Sequence, residues 1–253
     1  MAIKKVVIAA AGQGTRMRPL TNNRPKHLIK VLGRPFLAYL LDNVLMAGYK
    51  ELIVVTGYKG ELLEKFLKDY ESESRDKYKF KMMAVNQYRA LGEEKYGTAC
   101  PLMCTEDIVG KEEFLYVNGD NLYSVKDFQA MNVRDNYNYV AGLHHKNPQK
   151  YGVLLTDDGF LKEIVEKPKE YIGNLINTGL YKFTPEVFDN LSKVKKSVRG
   201  EYEITDVITL LAKERKVKVK EIKDYWLDFG NPADIMKLSR FLKSAKFKSQ
   251  NEN

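Results

Sequence analysis

Residues 6–21 read VVIAAAGQGTRMRPLT, and Arg24-Pro25-Lys26 follows three positions later. The apolar run over residues 3–10 has no polar alternation, which is the pattern of a strand buried on both faces. It runs directly into a loop of small residues. Glycines there let the backbone approach phosphate oxygens, and Arg16, Arg18 and Lys26 can meet the negative charge. Strand, small-residue loop and then cations is the order a nucleoside triphosphate requires.

Rival readings of the loop fail on named positions. Gly12-Gln13-Gly14 starts like a dinucleotide fingerprint, but the third glycine is replaced by Met17. No acidic residue closes the second strand either: Glu51 precedes it, and Thr56-Gly57-Tyr58 follows. Gly-Lys-Ser/Thr, the mark of a Walker loop, is absent. A plain turn without ligand leaves the clustering of Arg16, Arg18, Arg24 and Lys26 unexplained.

Outward from the loop, the first half alternates strand and helix. Helical periodicity covers residues 36–47 and stops at Gly48; residues 51–56 are a strand and 60–70 an amphipathic helix. Residues 79–85, 114–117 and 139–143 read as further strands. This order predicts a largely parallel sheet with right-handed crossovers. In the second half, residues 153–156 and 160–165 flank Asp157-Asp158-Gly159, a hairpin signal. A strand over 177–183, a short helix after Pro185, a helix over 203–213, a strand over 217–222 and a closing helix over 232–242 complete the pattern. The expected fold is α/β: a single Rossmann-like three-layer domain with a mixed, mainly parallel central sheet and an inserted β-hairpin region. Residues 1–242 form the domain and 243–253 a frayed polar tail.

The 253 residues, 44% hydrophobic and 30% charged, suffice for one packed core. No apolar run approaches the roughly 20 residues of a membrane span, and residues 1–5 do not read as a signal peptide. A soluble cytoplasmic protein with no membrane partner is expected. The net charge of +9 is spread over helices and interleaved with Glu. The denser runs at 193–196, 213–223 and from 237 lack interleaved aromatics, so a nucleic-acid partner is not expected. Cys100 and Cys104 are read as small buried side chains, with neither disulfide nor metal.

Seven further segments stand in one order. They are Gln87 with Tyr96-Gly97-Thr98-Ala99, then Val117-Asn118-Gly119-Asp120-Asn121, Tyr151-Gly152-Val153 and Glu166-Lys167-Pro168. Asn177-Thr178-Gly179-Leu180-Tyr181, Glu201-Tyr202-Glu203-Ile204-Thr205-Asp206 and Trp226-Leu227-Asp228-Phe229-Gly230 follow. Together with A-x-G-x-G-T-R-M-x-P-L-T and R-P-K, they resemble the signature of the sugar-phosphate nucleotidylyltransferases over nearly the whole chain. The resemblance implies attack of a sugar 1-phosphate oxygen on the α-phosphorus of a nucleoside triphosphate, with loss of pyrophosphate. A phosphate monoester has a second pKa of about 6 and is largely ionised at neutral pH, so no general base is needed. Catalysis is then positioning plus charge neutralisation.

The resemblance also implies roles. Arg16, Lys26 and Asp120 are the catalytic set. Ala10, Ala11, Gly12, Gly14, Thr15 and Arg16 hold the nucleotide, and Gln87, Gly97 and Thr98 read its base. Gly152, Glu166, Lys167, Asn177 and Thr178 bind the sugar phosphate. Asp120 and Asp228, each at a strand end, hold one Mg²⁺. His27 is given a packing or surface role, and His144-His145 none. Homo-oligomers, dimer or tetramer, are expected by analogy. Ala11-Gly12 and Met17 are more like the uridylyltransferases, and 118–123 like the thymidylyltransferases, leaving UTP or dTTP, most simply with glucose 1-phosphate. No hexapeptide repeat follows the closing helix, so relatives bearing an acetyltransferase domain are set aside. The alternatives are a non-catalytic regulatory or scaffolding homologue, and a nucleic-acid binder.

Overall fold

The computed structural model describes residues 3–198 and 200–251, with side chains through Ser244. The opening apolar run forms β1 (Lys5–Ala9), and its three central residues are buried. A small hairpin, β2 (Lys30–Val31) and β3 (Arg34–Pro35), precedes α1 (Phe36–Met46). In α1, Phe36, Leu37, Leu40, Leu41, Val44 and Leu45 are buried, the i, i+4 spacing of one helical face. The chain continues through β4 (Glu51–Thr56), α2 (Gly60–Ser74), β5 (Lys81–Asn86), α3 (Gln87–Leu91), α4 (Cys100–Met103) and α5 (Glu106–Val109). Next are β6 (Phe114–Asn118), β7 (Asn121–Tyr123), α6 (Val125–Ala130) and β8 (Asn138–His144). The Asp-Gly signal forms its turn: β9 (Gly152–Asp157) and β10 (Phe160–Glu166) pair antiparallel, with positive φ at Asp158 and Gly159. β11 (Leu175–Phe183), α7 (Glu186–Leu191), α8 (Ile204–Lys213), β12 (Val217–Glu221), β13 (Trp226–Asp228) and α9 (Pro232–Asn251) follow.

Nine strands form one sheet in the order β5-β4-β1-β6-β11-β8-β12-β10-β9. The sheet is mixed, as expected, but not mainly parallel. Four adjacent pairings are parallel, β5–β4, β4–β1, β1–β6 and β8–β12. The other four, β6–β11, β11–β8, β12–β10 and β10–β9, are antiparallel. Strand direction leaves no trace in hydrophobic periodicity, and β11 enters between β6 and β8 against both. The closing helix was expected to end at residue 242 but continues to Asn251. Residues 252–253 of the expected tail lie outside the described residues.

Alternation along β1 sends Val6 and Ile8 into one buried cluster and Val7 into another. The first cluster takes in α1, α2 and α6, with Leu238 of α9; Phe36 stacks on Phe229 with ring centroids 4.2 Å apart. The second takes in α4, α5, α7 and α8. Each fully buried large apolar side chain contributes about 1.5–3 kcal/mol. The sheet is thus held from both faces, and its polar chemistry is displaced to strand ends, where β1 and β6 finish side by side.

Candidate active site

The carboxyl ends of parallel strands open into a crevice, and β1 and β6 do so here. A cavity of about 230 Å³ is lined by Ala11, Gly12, Arg16, Lys26, Gln87, Gly97, Thr98 and Asp120 among others. Eight of the predicted residues, scattered over more than a hundred positions, therefore share one space. Ala10 is buried behind it, its amide bonded to the Val55 carbonyl at 2.8 Å. Gly14 and Thr15 shape the loop without lining the cavity: Gly14 has φ 63° and starts a single 3₁₀ turn, Thr15–Met17. Met17 is fully buried and plugs the loop into the core.

Lys26 forms an ion pair with Asp120. Burial pushes the Asp120 carboxyl up, but the charge and hydrogen bond of Lys26, helped by Arg16, hold it below the usual carboxylate range. Asp228 faces Asn121 across the β7–β13 pair, and the Phe229 amide donates to the Asp120 carbonyl at 2.8 Å. The two-stranded sheet thereby carries Asp228 to the end of β6. Burial, then the negative charges of Asp120 and Asp234, raise Asp228 to about 6 against the pull of Lys26 and Arg16. A Cβ on Gly230 would lie 3.3 Å from Arg16 Nη2 and 3.3 Å from both Asp228 carboxylate oxygens, so the guanidinium and the carboxylate border one spot. No group of three or more His, Cys, Asp or Glu among the described residues could hold a metal. Asp120 and Asp228 are the two hard-oxygen donors whose mutual repulsion a divalent cation would relieve.

Gln87 opens α3, whose first amides are capped by the Asn86 side chain. It is 2% exposed; its Nε2 donates to the Lys95 carbonyl at 3.3 Å, and its Oε1 is buried with no partner among the described residues. An orphaned acceptor beside a cavity is open to a hydrogen bond from a ligand or a water. Gly97 and Thr98 are laced to the segment before α8. Tyr202 N donates to Tyr96 O at 2.9 Å and Ala99 N to Tyr202 O at 2.9 Å. The Thr98 hydroxyl accepts from Ile204 N at 2.9 Å and donates to Glu203 at 3.1 Å. That hydroxyl is therefore committed to the start of α8. Thr205-Asp206, in turn, is first-turn sequence of that helix.

The five predicted sugar-phosphate residues lie on the far side of β6. Gly152 and Glu166 are register partners, and a Cβ on Gly152 would come within 3.7 Å of the Asn177 Cβ. Lys167 is exposed and 3.7 Å from Glu166, with its amide on the Tyr151 carbonyl at 3.0 Å. Leu180 pairs with Val117, so β11 carries Asn177 and Thr178 past the end of β6 toward Asp120. Asn177 Nδ2 donates to the Tyr181 hydroxyl at 2.8 Å. Thr178 is buried and its hydroxyl donates to the Ala141 carbonyl at 2.9 Å, so its side chain holds β8 and does not line an open surface.

A family model described as "Nucleotidyl transferase" matches residues 5–245. The chain belongs to the nucleotidyl transferase family. The UTP–glucose-1-phosphate uridylyltransferase AglF of Haloferax volcanii is 35% identical over 237 residues, 91% of this chain and 93% of that protein. The bifunctional protein GlmU of Methanocaldococcus jannaschii is 34% identical over 248 residues, 93% of this chain but only 53% of that protein. The chain thus spans about half the length of one such relative and nearly all of the other. A UDP-glucose pyrophosphorylase solved in complex with UDP-glucose superposes with a TM-score of 0.82 at 25% identity, covering 96% of this chain and 99% of that one. These relatives place the nucleotidyl transferase fold here among the sugar-1-phosphate nucleotidylyltransferases, the enzyme class the motifs pointed to.

Sequence reasoning missed several residues lining the cavity of this nucleotidyl transferase: Tyr96, Pro101, Tyr116, Asn118, Glu201 and His27. Tyr96, Asn118 and Glu201 stood inside quoted motifs, beside residues chosen for their charge or known pattern. His27 is a packing residue, as expected, but a buried one; burial and neighbouring Lys26 lower it to about 3, so it is neutral. Cys100 and Cys104 are free thiols, pushed up by burial to about 11 and about 12. No described helix is long and apolar enough to cross a membrane.

Proposed function

We propose that this nucleotidyl transferase moves a uridylyl group from UTP to glucose 1-phosphate, giving UDP-glucose and pyrophosphate, with Mg²⁺ bound by Asp120 and Asp228. One observation carries the reading: a Lys26–Asp120 pair with Arg16 stands between the unpartnered amide oxygen of Gln87 and the Gly152–Glu166–Asn177 group on the neighbouring strands. The similarity to AglF and to the UDP-glucose complex favours UTP over dTTP. The fold is read as Rossmann-like and three-layered, with β9–β10 as the inserted hairpin that brings Gly152 and Glu166 to the sugar.

Gln87 Oε1 accepts the N3–H of a uracil ring, and the glycine loop lets backbone amides approach the phosphates. Arg16 grips two oxygens of the β- and γ-phosphates as pyrophosphate departs, while Lys26 acts as a point charge at the α-phosphate. Lys167 holds the phosphate of the sugar, Glu166 and Asn177 its hydroxyls. No proton is moved, because the attacking oxygen is already ionised and His27 is neutral and buried. When bound, Mg²⁺ supplies charge neutralisation between the two reacting phosphates. We place the enzyme in the cytoplasm as a homodimer or homotetramer, acting on small molecules, not on nucleic acid or membrane.

The test is a matrix of five nucleoside triphosphates against several sugar 1-phosphates, with Mg²⁺, scored by pyrophosphate release. UTP with glucose 1-phosphate is expected to lead. Preference for a purine triphosphate would overturn the base assignment, and silence throughout would favour the regulatory homologue.

A further inference from the structure

The triphosphate loop is anchored by a residue outside it. Gly57, at the exit of β4, lies against Ala11: a Cβ there would stand 2.7 Å from the Ala11 carbonyl oxygen. That close approach lets the Tyr58 amide donate to Ala11 O at 3.1 Å, fixing the loop where it leaves β1. The Tyr58 ring then spans the loop. Its hydroxyl is shared between the carbonyls of Thr21, at 3.2 Å, and Asn22, at 3.1 Å. Thr21 in turn donates through Oγ1 to the Gly14 carbonyl at 2.9 Å. Residues 12–24 are thus tied at entry and at mid-loop, and Lys26 ties the exit to Asp120. Arg16 projects from the 3₁₀ turn between those ties and is exposed.

We propose that Tyr58 is the positioning residue of the triphosphate loop: it sets the loop's phosphate-binding shape before the ligand arrives and touches neither substrate. The inference rests on the reading of the cavity as a triphosphate site. It predicts a selective defect. Loosening the loop costs triphosphate binding, because ordering must then be paid at that step, and leaves the sugar phosphate untouched, since Glu166 and Asn177 lie on other strands and Lys167 directly follows one.

The experiment uses the full chain with Tyr58→Phe, which keeps the ring and removes one shared hydroxyl donor. Initial rates with UTP and glucose 1-phosphate are combined with amide hydrogen exchange. The KM for UTP is expected to rise about fivefold, the loss carried by one ordinary hydrogen bond. The KM for glucose 1-phosphate is expected to stay within about twofold and kcat at saturating UTP close to wild type. Exchange should quicken over residues 14–24 and not in β4. If Tyr58→Phe melts early, Thr21→Val tests the same tie at the Gly14 carbonyl and should show the same selectivity. Equal rises in both KM values, or unchanged exchange over 14–24, would overturn the proposal. If the wild-type chain turns over no triphosphate, the function fails while the exchange result still decides the clasp.

Discussion

Asp228→Asn should make the metal-free protein more stable and the enzyme inactive. Asp228 is raised from 3.8 to about 6 by burial and by Asp120 and Asp234. In the unfolded chain it ionises near its ordinary value. As pH climbs from about 4 to about 6 the unfolded state therefore loses this proton first, and folded stability falls through that window. A shift of about two units is worth roughly 3 kcal/mol of lost stability above pH 6, at about 1.4 kcal/mol per unit. Asparagine keeps the shape and removes the charge. Urea titrations with a metal chelator should place the variant about 2–3 kcal/mol above wild type near pH 8, and level with it near pH 4. For a domain of this size that gap is a rise of roughly 5–10 °C in Tm. A variant less stable than wild type near pH 8, or a gap independent of pH, would refute the view of Asp228 as a strained carboxylate awaiting a cation.

Gly97→Ala should lower stability by about 2–4 kcal/mol in urea titrations and raise the KM for UTP more than that for the sugar phosphate. A Cβ there, at φ 137°, would collide with the Tyr202 backbone N and O and come within 2.8 Å of its carbonyl carbon. Lys167→Ala should weaken glucose 1-phosphate binding about tenfold or more while UTP binding, measured calorimetrically, stays put; equal losses would remove Lys167 from the sugar-phosphate site. Gln87→Leu should cost UTP about tenfold in kcat/KM and spare the KM for glucose 1-phosphate, since one hydrogen bond to the base is lost.

The β1 run, α1 and the Asp158-Gly159 turn were legible because each is written in local periodicity or turn chemistry, and their bounds fall within a few residues of expectation. Sheet order was not. β11 lies between β6 and β8, antiparallel to both, a tertiary choice that local sequence pattern does not encode. Within the site, Asp120 and Asp228 were visible as carboxylates at strand ends, and Arg16 and Lys26 as cations clustered in the loop after β1. Thr178 illustrates the opposite case. Its motif suggested a sugar contact, but its hydroxyl serves the Ala141 carbonyl. The Thr98 hydroxyl likewise accepts from the first amide of α8, Ile204 N. A small hydroxyl satisfies whichever backbone group lies nearest, and sequence spacing does not say which that is. Tyr58 escaped notice because its partners, Thr21 and Asn22, stand more than thirty residues away.

The central claim is that the cavity between the glycine loop and Asp120 carries out attack at the α-phosphorus. UTP carrying a radiolabel on its α-phosphate, mixed with glucose 1-phosphate and the enzyme, tests this directly. The account predicts that the label appears in UDP-glucose, that pyrophosphate is unlabelled, and that Lys26→Met and Asp120→Asn abolish the transfer without unfolding the chain. Label in free UMP with no UDP-glucose, or full transfer by either variant, would contradict it.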